Sequence, residues 1–264
     1  MDTLDKSEKT ADSNNNETPT MPDQNQNDFL SSPSETTNTA DLDKGYKVLA
    51  RKYRPQNFDD LMGQEVMVQT LKNAFKIDRI AHAYILTGVR GIGKTTTARL
   101  LARALNYKTN LIDKPNIEMS EIGYHCLEIM ESRHIDVIEM DAASRTGIAD
   151  IREIIDSINY SPSSARYKIY IIDEIHMLSK AAFNGLLKTL EEPPSHVKFI
   201  FATTEVQKVP LTILSRCQRF DLRRFDNELV RSLLLKVCSK ENIKIDESVI
   251  CLLYTSPSPR DRVQ

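Results

Sequence analysis

The chain has 264 residues, with 37 acidic and 35 basic side chains and a formal net charge of −2. No stretch approaches the ~20 apolar residues of a membrane span, and the N-terminus reads as lacking the apolar core of a secretory signal. The four cysteines, Cys126, Cys217, Cys238 and Cys251, are widely separated and show no CxxC spacing. They read neither as a disulfide framework nor, by themselves, as a zinc site, so a reducing, cytoplasmic setting is expected.

Residues 1–45 hold ten Asp/Glu against three Lys, a net of −7, which leaves +5 for residues 46–264. Phe29 is the only aromatic of this polar tail. Such a segment buries too little apolar area to offset backbone entropy, so disorder is expected. From Tyr46 the pattern changes. Short apolar runs at 83–86, 135–140, 168–172, 198–202 and, more weakly, 219–222 read as strands. Between them Ala98, Leu101, Ala102 and Leu105, and again Phe183, Leu186, Leu187 and Leu190, recur at helical spacing. Strands alternating with helices predict an α/β domain over 46–224 with a parallel five-stranded sheet covered on both faces. After Phe225, Asp226 is placed to cap a helix through Leu229, Leu233, Leu234 and Val237, the start of a small helical domain over 225–250. Residues 251–261, CLLYTSPSPRD, resemble the in-frame translation of a sequencing-library adapter. Residues 251–264 are therefore expected to be non-native and the gene product truncated.

Gly88-Val89-Arg90-Gly91-Ile92-Gly93-Lys94-Thr95 fits GxxxxGK[ST] in full, between a strand and an amphipathic helix from Thr96. Glycines let the backbone curl so that its N–H groups point at phosphate oxygens beside a helix N-terminus. Lys94 is expected to reach the β- and γ-phosphates, and the Thr95 hydroxyl to ligand Mg²⁺. The apolar run Ile169-Tyr170-Ile171-Ile172 ends in Asp173-Glu174. At the C-terminal edge of a parallel sheet, where ligands bind, Asp173 is expected to hold Mg²⁺ and Glu174 to polarise the attacking water. Thr203-Thr204 ends the next strand and can place a hydroxyl near the γ-phosphate. Arg216 stands where it can act on a neighbouring subunit or simply form a surface ion pair.

Residues 46–65, the phosphate loop, and residues 141–153, 169–194 and 201–217 together resemble the bacterial DNA polymerase III gamma/tau family, the AAA+ motor subunits of the sliding-clamp loader. The resemblance covers about 46–250 and implies an ATPase that loads the clamp onto primed DNA. Its partners would be the delta and delta-prime subunits and other gamma/tau copies, while nucleotidyl transfer would belong to another subunit of the holoenzyme. It implies ATP and Mg²⁺ as ligands, with Gly88, Arg90, Gly91, Gly93, Lys94, Thr95 and Thr96 around the phosphates and Arg51, Tyr53, Arg54 and Pro55 on the adenine side. Thr204 becomes the γ-phosphate sensor, and Arg216 the finger acting in trans. Arg145, Arg152 and Lys188 become DNA-backbone contacts, with Gly147 where the family has a cation. Many family members carry a four-cysteine zinc module after the phosphate-loop helix. Here only Cys126 matches it, the other positions falling on Ser120, Gly123 and Tyr107, so no zinc is expected and 117–130 should pack through apolar contacts. The family's later lid arginine and collar are not matched, so slow hydrolysis by a largely monomeric chain is expected. A branch-migration motor and a non-catalytic scaffold like delta-prime are the alternatives. The intact Lys94 and Glu174 weigh against the scaffold.

Overall fold

The computed structural model describes residues 48–144 and 148–255. The expected tail at 1–45, Arg145, Gly147 and most of the expected non-native segment, 256–264, lie outside the described residues. In chain order the elements are α1 (Leu49–Lys52), α2 (Glu65–Lys76), β1 (Ala83–Thr87), α3 (Lys94–Leu105), α4 (Cys126–Met130), β2 (Val137–Asp141), α5 (Ile148–Ile158), β3 (Lys168–Asp173), α6 (Lys180–Glu191), β4 (Val197–Thr203), α7 (Leu211–Leu214), β5 (Gln218–Asp221), α8 (Asn227–Lys240) and α9 (Glu247–Thr255). The last runs across the expected boundary at Cys251. No helix among the described residues is long and apolar enough to cross a membrane.

The five strands form one sheet in the order β2-β3-β4-β1-β5, and every pairing is parallel. Side chains alternate across a strand, so each central strand feeds two cores. Tyr84 and Leu86 of β1, Ile169 and Ile171 of β3, and Ile200 and Ala202 of β4 join the core built with α2, α3 and α4. Ala83 and Ile85, Tyr170 and Ile172, and Phe199 and Phe201 join the other, built with α5 and α6. Both faces are covered, which is why these runs read as continuously apolar rather than alternating. Each fully buried large side chain contributes about 1.5–3 kcal/mol.

The segment between α3 and β2 has little regular structure and is held by packing. Ile117, Met119, Cys126, Ile129 and Met130 enter the core on the α3 side. Tyr107 is buried, and its hydroxyl donates to the Glu121 carbonyl at 3.1 Å and accepts the Glu121 N–H at 3.3 Å. A Cβ at Gly123 would stand 2.7 Å from the Lys108 carbonyl oxygen and 3.2 Å from Cys126 Sγ. Backbone therefore fills the place where a second thiol would have to project. Among the described residues, no group of three or more His, Cys, Asp or Glu side chains is placed to hold a metal ion.

The helical segment after β5 begins as its capping residue dictates. The Asp226 side chain accepts the Leu229 N–H at 2.8 Å and opens α8. This segment meets the N-terminal part of the described chain. The Gln64 amide donates to the Arg223 carbonyl and accepts the Arg223 N–H, and Tyr53 donates to Glu241 at 2.6 Å.

Candidate nucleotide-binding site

The loop between β1 and α3 turns at Gly88 (φ 143°), Gly91 (φ 83°) and Gly93 (φ 98°), conformations a side chain disfavours. A Cβ at Gly91 or Gly93 would meet no atom within 4 Å, so the space in front of the loop is open. Gly93 is also the N-cap of α3 and offers no side-chain acceptor to the first turn. The helix's unpaired N–H groups are thus left for an external anion. Lys94 is 6% exposed, with Nζ donating to the carbonyls of Gly88 at 3.0 Å and Val89 at 3.2 Å. Burial holds its pKa below the usual lysine value, a lowering that the nearby Glu174 and Asp173 carboxylates oppose without cancelling.

Around the loop lies a cavity of about 830 Å³. Of the residues expected at the nucleotide, Arg54, Arg90, Gly91, Gly93, Lys94, Thr95, Thr96, Asp173, Glu174 and Thr204 line it. Thr95 Oγ1 donates to Asp173 Oδ2 at 2.5 Å, which pairs two hard oxygen donors from α3 and β3. Glu174 follows β3 in a left-handed conformation, φ 47° and ψ 47°, which costs a residue with a side chain about 1–2 kcal/mol. Its Oε2 accepts the Thr204 N–H at 3.0 Å and the Thr204 hydroxyl at 2.9 Å, and its Oε1 is 3.9 Å from Lys94 Nζ. Burial, then the neighbouring Arg99 and Arg51, lower the pKa of Arg54, leaving a cation whose surroundings favour an anion. The open glycine loop, the buried Lys94, Arg54 and the Thr95–Asp173 oxygen pair fit a magnesium-bound polyphosphate.

Gly88 does not line the cavity; its carbonyl accepts from Lys94 Nζ at 3.0 Å. Arg51, Tyr53 and Pro55 do not line the cavity. Arg51 is exposed on α1, and Tyr53 is directed to Glu241, with Lys240 Nζ 5.7 Å from its ring centre. Arg216 lies off the cavity as well. It is exposed, donates to the Thr212 carbonyl at 2.7 Å and pairs with Glu191 at 2.6 Å. Arg152 and Lys188 are exposed on α5 and α6. Thr203, the last residue of β4, is wholly buried and bonded to His176, whereas Thr204, just after the strand, reaches the cavity.

The cavity wall also holds residues that motif spacing did not single out: Val89, Asp141, Ala143, His176 and Met177. Asp141 ends β2 in register with Asp173, which places it at the sheet's C-terminal edge, where ligands bind; that pairing is set by strand register and not by a local motif. His176 comes two positions after Glu174, in the 3₁₀ turn Ile175–Met177.

Residues 63–226 match the family model for "DNA polymerase III, delta subunit". The chain is 49% identical over 208 residues to the DNA polymerase III subunit tau of Escherichia coli (strain K12), covering 79% of this chain and 32% of that protein. It is 46% identical over 218 residues to the subunit gamma of Buchnera aphidicola subsp. Schizaphis graminum, covering 82% of this chain and 59% of that one. The chain thus spans about a third of the tau subunit and under two thirds of the gamma subunit. Among solved structures, the RuvB Holliday junction branch migration motor of Thermotoga maritima superposes with a TM-score of 0.52 at 19% identity, over 75% of this chain and 58% of that one. That likeness carries the fold, an AAA+ P-loop domain on a parallel five-stranded sheet. The sequence relatives and the matched family model carry the rest: this chain belongs to the DNA polymerase III gamma/tau family.

Proposed function

We propose that the chain is an ATP-hydrolysing motor subunit of the DNA polymerase III clamp loader, which uses ATP binding and hydrolysis to load the sliding clamp onto primed DNA. The observation that carries this reading is the convergence, in one cavity, of the Lys94 loop, the Thr95–Asp173 pair and a Glu174 carboxylate held by Thr204.

In this reading the loop and α3 N–H groups receive the phosphates, and Lys94 exchanges its two carbonyl contacts for phosphate oxygens. Thr95 and Asp173 hold Mg²⁺, which when bound neutralises charge on the β- and γ-phosphate oxygens. Glu174 orients a water and takes its proton. Thr204 bonds the same carboxylate and borders the γ-phosphate position, so it reports phosphate loss to β4. Arg54, with Arg51, Tyr53 and Pro55 alongside, borders the base. Arg216 serves a neighbouring copy's nucleotide, matching its place away from its own cavity. Arg145, Arg152 and Lys188 contact the DNA backbone, which gives sequence-independent, salt-sensitive binding. The partners are delta, delta-prime, other gamma/tau copies, the clamp and primed DNA. No zinc is required, because the residues at 107, 120 and 123 offer no thiols.

The test assembles the chain with delta, delta-prime and the clamp, and measures ATP hydrolysis and clamp loading on primed DNA. Loading that disappears with Lys94→Ala supports the proposal. ATP-driven strand displacement without loading would overturn it in favour of a branch-migration motor.

A further inference from the structure

Glu174 is held from three directions, and one of them is a residue that no phosphate-loop motif contains. Its Oε2, already bonded to Thr204, lies 3.3 Å from Nδ1 of His176. The His176 side chain is 6% exposed. Its Nδ1 is also 2.9 Å from the hydroxyl of the buried Thr203, which in turn accepts the Glu205 N–H at 3.1 Å. On the far side of the ring, Nε2 is 3.4 Å from Glu205 Oε1, and Glu205 is held by Lys208 at 2.8 Å. Both ring nitrogens are therefore engaged, and the buried ring cannot turn without giving up partners on both sides. Three consecutive residues, Thr203 at the end of β4 and Thr204 and Glu205 just after it, supply that frame.

This frame acts on one oxygen of the carboxylate. Oε2 carries the Thr204 bonds and the His176 contact, while Oε1 is met by Lys94 at 3.9 Å. A carboxylate at the end of a side chain with three rotatable bonds otherwise samples several rotamers, and an error of about 1 Å in the position of a catalytic group can cost ~100-fold in rate. Resting on the ATPase reading above, we infer that His176 is a positioning residue for hydrolysis. It pins Oε2 of Glu174 from the Thr203 side so that Oε1 is presented to the attacking water.

The experiment measures single-turnover ATP hydrolysis and binding of a fluorescent ATP analogue on the full chain, for the wild type and for His176→Ala, His176→Asn, His176→Gln, Thr203→Val and Glu174→Gln. His176→Ala should lower the hydrolysis rate about 10- to 100-fold with analogue affinity unchanged. Asn places an amide nitrogen near the Nδ1 position and should recover most of that loss, whereas Gln, which reaches toward the Nε2 position, should not. Thr203→Val should reproduce the Ala defect, and combining it with His176→Ala should add little, because both remove one interaction. The Asn and Gln comparison carries the test should the Ala variant fail to fold. Hydrolysis by His176→Ala at the wild-type rate, equal rates for Asn and Gln, or a loss confined to analogue affinity would each overturn the inference. Glu174→Gln separates the two levels. Wild-type turnover by that variant, or no turnover by the wild type, removes the ATPase reading itself. A dead Glu174→Gln beside a fully active His176→Ala removes only the role of His176.

Discussion

Asp136 is 2% exposed, yet its carboxylate accepts the N–H groups of Ser163, Ser164 and Ala165 and the Ser164 hydroxyl. Burial works against its ionisation, but these donors outweigh burial and hold the carboxyl below its usual range. With a folded pKa below the unfolded value of about 3.9, Asp136 stabilises the fold above that pH, and its contribution disappears as pH falls through the folded value. Asp136→Ala should cost about 1–3 kcal/mol at pH 7, measured by urea unfolding. The gap from wild type should shrink toward acid pH, and a pH-independent gap would contradict this account. At the site, Glu174→Gln should lower hydrolysis by about 10²–10⁴-fold and leave ATP binding intact, whereas a parallel loss of binding would assign Glu174 to substrate holding. Lys94, Thr95, Asp173 and Glu174 were legible in the sequence because their chemistry fixes their spacing. Asp141 and His176 were not, since their positions depend on strand register and on the end of β4, contacts that no local pattern encodes.

The central strands were legible because burial on both faces leaves nearly unbroken apolar runs, and α8 because Asp226 supplies its cap. The short helices were less so. With five residues, α4 is too brief to show a period, and the path from α3 to β2 is set by tertiary contacts of Tyr107, Ile117 and Ile129. If this segment is held by packing alone, Ile129→Ala should cost about 2–5 kcal/mol, seen as a lower melting temperature. A chelator should leave the wild-type melting temperature unchanged. Chelator-induced destabilisation, or stoichiometric zinc by elemental analysis, would show that metal holds the segment instead.

Across the whole molecule, the exposed cations Arg152 and Lys188 stand on α5 and α6, the neighbouring helices over one face of the sheet, and the nucleotide cavity opens at the strands' C-terminal ends. Replacing either cation with Ala should weaken DNA binding similarly for all sequences and reduce the salt dependence by about one unit of slope; a change in sequence preference would contradict a backbone contact. The packing of the α8 segment on the N-terminal part of the described chain was not readable, because Gln64 meets Arg223 and Tyr53 meets Glu241, each across more than 150 residues of chain. All of these roles presuppose a triphosphate bound at the Lys94 loop, and photo-crosslinking of an azido-ATP analogue with magnesium measures that most directly. The wild-type chain should be labelled, excess ATP should compete the label away, and Lys94→Ala should lose it. Equal labelling of Lys94→Ala, or none of the wild type, would contradict the assignment of this cavity to ATP.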